Sequence, residues 1–425
     1  MTAEEKVDIP TLMIELGKNA RAAARQLAKF SSSDKNRALM ECASEIADSR
    51  RDILAANAKD MQAAEEKGVT TAMLDRLRLS NARIDNMVSS IETIVGLKDP
   101  VGKIMAEWSR PNGLRFQQVS VPLGVIGIIY ESRPNVTVDA AVLCLKAANA
   151  VILRGGSLSY HSNRALHQCM ANALRNTNLP FAAVQMVPTS NRDAVGFLLS
   201  EMAEFVDVII PRGGKNLIAR VQSDARVPVI GHLQGICHVY VHQSADPAMA
   251  VDIVLNAKMR RTGICGAAET LLIDKNCISS HLPLISNALI AANCELRGDE
   301  TARTADPRIK EAAEDDWSSE YLDAILSIKS VDGIDDAIAH IAHYGTAHTE
   351  SIVAEDADAA RQFQAEVDSA IVLHNASTQF ADGGEFGMGA EIGIATGKIH
   401  ARGPVGVEQL TSYKYLVHGT GHVRA

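Results

Sequence analysis

The tetrapeptide Gly-Ile-Cys-Gly at 263–266 contains the residue of this chain best suited to covalent chemistry, Cys265. Before it, apolar residues recur at three- and four-residue steps over 250–259 and predict a helix, which two consecutive arginines end. After it, residues 269–273 predict a buried strand. Positive charge beside a thiol favours the thiolate, which is the nucleophilic form. Cys265 is therefore a candidate nucleophile on a tight turn between two rigid elements.

The alternative interpretation of Cys265 is a small buried hydrophobic residue, which is what most free cysteines are. The chain has seven cysteines without any CxxC pair, so its sequence indicates neither a disulfide framework nor a zinc site, and it is typical of a reducing cytoplasm. The other six are Cys42, Cys144, Cys169, Cys237, Cys277 and Cys294. Four of them, Cys42, Cys144, Cys169 and Cys294, fall in helical patterns.

Two glycine pairs occur where a predicted strand gives way to a predicted helix, in Leu-Arg-Gly-Gly-Ser at 153–157 and Ile-Pro-Arg-Gly-Gly-Lys at 210–215. Exposed backbone amides with positive charge at a helix start favour phosphate binding. Neither segment matches the GxGxxG fingerprint or the P-loop, and each alone is equally typical of a turn. Together they predict a phosphate cradle formed by Arg154, Gly155, Gly156, Ser157, Pro211, Arg212, Gly213, Gly214 and Lys215.

His340 and His343 share one face of a predicted helix, a spacing that is compatible with a metal ion. No third ligand is evident beside them in the sequence. We therefore predict no metal site and expect these histidines to pack and to donate hydrogen bonds.

Strands alternate with helices from residue 121 onwards, which predicts an α/β protein with parallel sheets that bind ligands at the carboxyl ends of their strands. A first series is followed by a second α/β unit that contains Cys265, and 293–316 reads as polar and irregular. The predicted strands are 125–130, 150–153, 184–187, 206–210, 227–230, 238–241, 269–273, 324–329, 351–354 and 369–373.

The N-terminal part, 9–95, predicts three long helices, with Asp34 and Asn81 as caps of the second and third. A turn at 111–113 precedes 114–122, which alternates as an exposed strand and is a candidate arm for contact between subunits.

The size and charge of the chain limit its class. Its 425 residues predict two or three domains, and its net charge of −9 argues against a general nucleic-acid-binding surface. Residues 1–10 are acidic and lack the apolar core of a signal peptide. The longest apolar run, 121–130, is too short to span a bilayer. We expect a cytoplasmic protein without a membrane segment.

Several longer motifs resemble the γ-glutamyl phosphate reductase family, the glutamate-5-semialdehyde dehydrogenases, which is a branch of the aldehyde dehydrogenase superfamily. The similarity extends over residues 10–418 without an attached kinase domain, as in the stand-alone enzymes. The motifs are YESRPNVTVDAAVLCLKAANAVILRGGS at 130–157, PRGGK at 211–215, GICHVYV at 235–241, EYLDAIL at 320–326, VDGIDDAIAHIAHYGTAHTESI at 331–352, FGMGAEIGI at 386–394 and HARGPVGVEQLTSYKY at 400–415.

The resemblance implies an aldehyde dehydrogenase-like fold with three parts. They are a Rossmann-like NADP-binding domain at 1–109 and 123–235, an α/β catalytic domain at 236–377, and a small β oligomerisation arm at 110–122 with a tail at 400–425. Residues 378–399 would return to the cofactor domain. A homo-oligomer is implied, and transient contact with glutamate 5-kinase is an expectation.

The resemblance also implies that NADPH reduces L-glutamyl 5-phosphate to L-glutamate 5-semialdehyde and phosphate in proline biosynthesis. Cys265 matches the catalytic cysteine of the family, and Glu320 matches the glutamate that contacts the nicotinamide ribose. The Asn135 amide is a candidate donor to the oxyanion. Arg133, Arg260 and Arg402 are candidates for binding the carboxylate or phosphate of the substrate, with surface ion pairs as the alternative for Arg133 and Arg402.

The expected cofactor follows from Arg154, which lies at the end of the predicted strand 150–153, where the 2′-phosphate of NADPH would bind. No carboxylate follows Arg154 in the sequence to bind a free ribose 2′-hydroxyl, so NADPH is expected over NADH.

The chain departs from the family pattern at Thr262 and Gly266, where proline and asparagine are usual, and at Gln234, where aspartate is usual. Leu158 and Ser159 replace a usual Glu-Ala pair. We expect these changes to tune substrate or cofactor affinity.

Two other functions remain open at this point. One is another cysteine-dependent NAD(P) aldehyde dehydrogenase, and the other is a non-catalytic oligomeric scaffold that keeps the fold.

Overall fold

A computed structural model describes residues 8–424 and divides the chain into two compact units. The first comprises the described residues up to Gly231 with Gly387–Gly393 and the residues from Val405 onwards, and the second comprises His232–Phe386 and Ile394–Pro404. The predicted boundary at 235/236 thus falls inside the second unit. The acidic segment 1–7, on which the signal-peptide prediction rests, and residue 425 of the predicted tail lie outside the described residues.

The N-terminal part of the first unit holds five helices instead of the three predicted. The second and third helices, which the sequence predicted as one, are separated at Ser49. The cap of the second helix is Ser31, whose side chain accepts from the Asp34 backbone N–H, and Asp34 bonds back as its capping-box partner. Ser80, and not Asn81, caps the last of the five. They are α1 Ile9–Leu27, α2 Ser32–Asp48, α3 Arg50–Glu66, α4 Thr71–Leu77 and α5 Asn81–Gly96, and strands β1 Ile104–Ser109 and β2 Arg115–Pro122 follow.

A four-stranded parallel sheet forms the centre of the first unit, with the order β5-β4-β3-β6. The predicted strand at 227–230 is wrong, because within it only Val229 forms a β-bridge, with Ile209 of the sheet. Pro228 accepts a hydrogen bond there but has no N–H to donate. The elements are β3 Val125–Tyr130, α6 Val136–Lys146, β4 Ala150–Gly155, α7 Tyr160–Asn176, β5 Val184–Met186, α8 Asp193–Ser200, β6 Val208–Arg212 and α9 Lys215–Asp224.

A seven-stranded parallel sheet forms the centre of the second unit, with the order β10-β9-β11-β8-β7-β12-β13. The prediction of an irregular 293–316 is wrong, since two strands and a helix capped by Asp299 lie there. The elements are β7 Cys237–Val241, α10 Pro247–Met259, β8 Ala268–Asp274, α11 Ile278–Ala291, β9 Glu295–Gly298, α12 Glu300–Ala305, β10 Lys310–Glu311, β11 Ile325–Val331, α13 Gly333–Tyr344, β12 Thr349–Val353, α14 Ala357–Glu366, β13 Ile371–His374, β14 Ile394–Ala395 and β15 Gly403–Pro404.

A separate antiparallel sheet of the first unit joins β1, β2 and the last strand, β16 Thr411–His418, in the order β1-β2-β16. The predicted arm at 110–122 therefore gains β1, which the sequence analysis did not identify. Trp108 stacks on Phe116 and meets Tyr415 edge-on, so one aromatic cluster crosses all three strands. Large apolar side chains remain exposed on β1 and β16: Ile104, Met105, Trp108, Tyr413, Tyr415 and Val417.

None of the helices within 8–424 is both long and apolar enough to cross a membrane.

Candidate active site

Cys265 lies in the loop between α10 and β8, and its side chain is partly exposed. The other six cysteines are buried. Burial raises the pKa of Cys277 and of Cys294 to about 11, which keeps both as thiols at neutral pH. Accessibility therefore separates Cys265 from the rest, as its flanking glycines predict.

The backbone of Gly235 packs directly against Cys265. A Cβ at Gly235 would lie 2.3 Å from the Cys265 carbonyl oxygen and 2.8 Å from the Cys265 Cβ. The Cys237 thiol donates to the same carbonyl oxygen at 3.1 Å. This approach is possible only for glycine, and it fixes the loop that carries the nucleophile.

The segment that contains Gly235 is itself held by two side chains from other parts of the second unit. The Gly235 N–H donates to the Glu320 carboxylate at 2.9 Å, and the Ile236 N–H donates to the Thr346 hydroxyl at 2.9 Å. Glu320, predicted from the resemblance to contact the cofactor, thus binds the backbone that packs on Cys265. Its sequence position gave no indication of this hydrogen bond.

Two histidines converge on the thiol. His232 and His348 each place one ring nitrogen in a group with the Cys265 sulfur, and these atoms all lie within 4.8 Å of one another. The two rings meet edge-on, with centroids 4.8 Å apart. The sequence alone did not bring these residues together, because His232 and His348 lie in separate motifs.

His340 and His343, the pair considered for a metal, do not belong to this group. The His340 ring packs against Trp317 and Tyr344, and burial lowers the pKa of His340 to about 3. His340 is a neutral packing residue.

The carboxylate of Glu269, which is close to Cys265 in sequence, forms a buried ion pair. Its carboxylate lies 2.5 Å from the Lys258 ammonium, and both side chains are fully buried. The other carboxylate oxygen accepts from the Leu322 N–H at 3.2 Å. Although Lys258 favours the ionised form, burial raises the pKa of Glu269 to about 7. Glu269 therefore ties α10 to β8 on either side of the nucleophile loop.

The candidate arginines differ in their surroundings. Arg402 donates to the Asp368 carboxylate at 2.7 Å and to the Asp368 carbonyl at 2.8 Å, so substrate binding by Arg402 would require this pair to open. Arg260 is exposed at the end of α10 and has a long contact of 3.5 Å with Gln379. Arg133, in the first unit, is partly buried in the loop after β3.

In the first unit, the two predicted glycine pairs flank one strand end. Tyr130, at the end of β3, is in register with Gly155 of β4 on one side and with Arg212 of β6 on the other. The chain runs from β3 to β4 and β5, and then returns to the opposite side of β3 for β6. Such a reversal opens a crevice at the carboxyl ends of the strands, where α/β sheets bind ligands.

The glycines at this edge have different roles. A Cβ at Gly155 would lie 2.1 Å from the Asn163 amide nitrogen, and one at Gly213 would lie 2.6 Å from the Glu131 carboxylate. Gly156, beside exposed Ser157, lies against the Glu131 backbone. Gly214 has open space around it and begins α9, and its N–H donates to Glu131 at 3.1 Å.

Arg154 is almost fully buried and is engaged by its own unit. Its guanidinium donates to the carbonyls of Gly155, at 2.8 Å, and Ser190, at 2.9 Å. It connects the end of β4 to the loop after β5. No carboxylate follows Arg154 in the sequence, but the Glu131 carboxylate reaches this edge from the end of the preceding strand.

Asn135 lies at the start of α6, where its side-chain amide donates to Asp139 at 2.8 Å. Burial raises the pKa of Asp139 to about 6. Ser132, in the same loop, has a φ of 46°, a left-handed conformation that costs a non-glycine residue about 1 kcal/mol or more. The loop after β3 is thus held in a defined, strained conformation.

Comparison with known proteins places this geometry in a family. The model described as "Aldehyde dehydrogenase family" matches residues 13–295. The chain is 58% identical over 417 residues to the gamma-glutamyl phosphate reductase of Rhodopseudomonas palustris (strain TIE-1), covering 98% of this chain and 97% of that protein.

Solved structures agree. The crystal structure of gamma-glutamyl phosphate reductase from Thermotoga maritima is 44% identical with a TM-score of 0.95, and the match covers 97% of this chain and 100% of that one. An acetylating aldehyde dehydrogenase from Geobacillus thermoglucosidasius, 18% identical with a TM-score of 0.69 over 99% of this chain and 100% of that one, shares the fold alone. The predicted family and α/β fold class are confirmed.

Gly235→Ala tests whether the close backbone approach positions the nucleophile. The added methyl group meets backbone atoms that cannot rotate away, so Cys265 must shift, and a displacement of about 1 Å is expected to lower the turnover number about 100-fold. The measurements are the turnover number and the rate of Cys265 alkylation by iodoacetamide.

Gly96→Ala is the matched control, since nothing lies within 4 Å of a Cβ there and the residue ends α5. It should leave both rates unchanged. Unchanged rates in Gly235→Ala would show that the contact does not position Cys265.

Proposed function

We propose that this chain, which belongs to the aldehyde dehydrogenase family and within it to the γ-glutamyl phosphate reductases, reduces L-glutamyl 5-phosphate with NADPH to L-glutamate 5-semialdehyde and phosphate. The observation that carries the chemistry is the partly exposed Cys265 thiol on a loop clamped by Gly235. The substrate named for these relatives supports this reaction, and proline biosynthesis is the corresponding pathway.

In the proposed reaction the Cys265 thiolate attacks the acyl carbon of the substrate, and inorganic phosphate leaves. The product of this step is a thioester on Cys265, which splits one difficult displacement into two easier steps. After reduction, the thiohemiacetal collapses, releases the aldehyde and returns the thiol. The Cys265 backbone N–H is our candidate for stabilising the oxyanion.

The family uses a nicotinamide dinucleotide, and the carboxyl edge of the first unit's sheet fits one. Gly214 is open at the N-terminus of α9, with Lys215 exposed beside it, so backbone amides and positive charge are available to an anionic group. When bound, NADPH supplies the hydride that reduces the thioester. Binding at this edge displaces the Glu131 carboxylate from the Gly214 N–H, or shares that amide with it.

The phosphate of the substrate is assigned to Arg260, whose side chain is exposed beyond the end of α10. Arg402 is assigned to its pair with Asp368, which ties the segment before β15 to the end of α14.

Hydrolysis of the thioester should be slow, because no carboxylate is available in the segment 231–235 to take a proton from water. Gln234 is neutral and cannot act as a base. His232 is the remaining candidate base in this segment, with its Nδ1 2.6 Å from the Ile394 carbonyl oxygen. The thioester should therefore wait for inorganic phosphate when the reaction runs in reverse.

The decisive assay measures NADP⁺ reduction with glutamate 5-semialdehyde, in phosphate and in a buffer without phosphate. Steady turnover is expected only with phosphate, since phosphate is the nucleophile that releases the acyl group. Equal rates in both buffers with free glutamate as product would contradict the proposal and identify a hydrolytic aldehyde dehydrogenase.

Two cysteine variants complete this assay. Cys265→Ser should abolish turnover, because a hydroxyl is not ionised near neutral pH, while NADPH binding persists. Cys294→Ser, at a buried cysteine, should stay active. Equal loss in both would remove the assignment of Cys265, and failure of the wild-type chain to bind NADPH would favour a non-catalytic scaffold.

Cofactor preference is assigned to Lys215, because Arg154 is engaged with backbone carbonyls. Lys215→Ala should lower kcat/KM for NADPH about tenfold or more, the loss expected for one charged hydrogen bond, and should change kcat/KM for NADH little. Arg154→Ala should weaken the binding of both cofactors, because it disorders the edge of the sheet. The control is Lys67→Ala, at an exposed lysine after α3. Equal use of both cofactors by the wild type, unchanged in Lys215→Ala, would contradict this assignment.

We also propose that copies of the chain associate through the apolar face of β1 and β16, since contiguous exposed apolar residues mark interaction surfaces. The double variant Trp108→Glu and Tyr415→Glu should lower the mass measured by light scattering. Met40→Glu, at an exposed apolar residue of α2, should not. A wild-type chain with the mass of a monomer would contradict the proposal.

A further inference from the structure

The group His232, Cys265 and His348 has the composition of a transition-metal site. One ring nitrogen from each histidine and the thiol sulfur lie within 4.8 Å of one another. Nitrogen and sulfur ligands suit Zn²⁺, which binds two histidines and a cysteine with a fourth position open to water. A contraction of about 1 Å between the ligand atoms would bring them to the spacing that Zn–N and Zn–S bonds require.

Both imidazoles are oriented as metal ligands are. The His232 Nδ1 lies 2.6 Å from the Ile394 carbonyl oxygen, which can only accept, so this nitrogen carries the proton and Nε2 carries the lone pair. A hydrogen bond from the second ring nitrogen to a carbonyl is the usual support of a zinc-bound histidine.

His348 provides an independent observation. It is fully buried, its Nδ1 lies 2.9 Å from the Thr349 hydroxyl, and its Nε2 is buried without a hydrogen-bond partner. A buried polar atom without a partner destabilises the folded chain, so the His348 Nε2 is suited to bind a ligand. The His348 Nδ1 also lies 3.5 Å from the Cys237 sulfur. In the tautomer whose Nδ1–H donates to the Thr349 hydroxyl, the His348 Nε2 carries the lone pair that an ion would bind.

We propose that His232, Cys265 and His348 form an exchangeable Zn²⁺ site that reversibly masks the nucleophile. On binding, the Cys265 thiol loses its proton to solvent and its sulfur coordinates the ion, so no bond other than S–H is broken. The lone pair that would attack the substrate is then held by the metal. Only this inhibitory consequence rests on the proposed function, since metal binding itself depends on the three side chains.

The site is exchangeable for two structural reasons. It has three protein ligands instead of the four of closed structural zinc sites, and Cys265 is partly exposed. A chelator is therefore expected to remove the ion and restore the thiol.

The experiment titrates the metal-free full chain with Co²⁺, whose spectrum reports thiolate ligation directly. A thiolate-to-cobalt charge-transfer band with the visible bands of tetrahedral cobalt is expected, and one equivalent of Zn²⁺ should abolish it. Zn²⁺ should also stop turnover, and chelation should restore it.

Variants locate the site. Cys265→Ser should remove the charge-transfer band, and His348→Gln or His232→Gln should weaken Zn²⁺ binding at least about tenfold. His340→Gln is the matched control, because His340 is also a buried histidine with an unpartnered Nε2 but lies outside the group. It should bind cobalt as the wild type does.

The outcomes separate this proposal from the proposed function. Absence of the band in the wild type, or its persistence in Cys265→Ser, would overturn the metal site even if phosphate-dependent turnover is found. A cobalt band that depends on all three residues would support the site even in a chain without reductase activity.

Discussion

The candidate active site depends on one close contact, in which the Gly235 backbone lies against the backbone and Cβ of Cys265. Any side chain at position 235 would separate the two segments. The contact joins the segment that leads into β7 to the loop that leads into β8, and these strands are neighbours in the parallel sheet. Glu320 and Thr346 accept hydrogen bonds from the first segment, and Cys237 donates one to the second. The nucleophile is therefore positioned by backbone packing, which is more rigid than a contact between side chains.

Glycine has a similar role at the edge of the first unit's sheet, where Gly155 and Gly213 allow loops to approach each other. There, however, the structure adds an acidic group. Glu131 accepts from Gly214 at the start of α9, where a phosphate would also be favoured. This carboxylate stabilises the N-terminus of the helix in the absence of a ligand, and it must be outcompeted or shared when an anionic cofactor binds. The affinity of this edge for an anionic ligand thus depends on how much more favourably that ligand accepts from the Gly214 amide than the Glu131 carboxylate does.

The sequence predicted the features that depend on neighbouring residues. The glycines around Cys265, the arginines after α10 and the glycine pairs after β4 and β6 are local patterns, and each lies where a strand or helix ends, as predicted. Features formed by distant segments were not predictable. Examples are the convergence of His232 and His348, the Glu320 bond to Gly235, and the position of Glu131. The errors at 227–230 and 293–316 also arise from tertiary context. Within 227–230 only Val229 forms a bridge, whereas β9 and β10 depend on partner strands that a local pattern does not contain.

A thiol that must be accessible to an acyl phosphate is also accessible to metal ions and oxidants, and the surroundings of Cys265 show how the fold handles this conflict. Two imidazoles share a group with its sulfur, while the carboxylate of Glu269 is buried against Lys258 and that of Glu320 accepts from the Gly235 N–H. A free carboxylate at the thiol would activate water and hydrolyse the thioester, which would waste the activated acyl group. Imidazoles stand in that position instead, and the Nδ1–H of His232 donates to the Ile394 carbonyl, which places the lone pair on its Nε2. In the zinc site proposed above, this lone pair binds the ion. The donor set that zinc prefers is thus a physical consequence of surrounding a partly exposed nucleophile with nitrogen ligands in place of carboxylates.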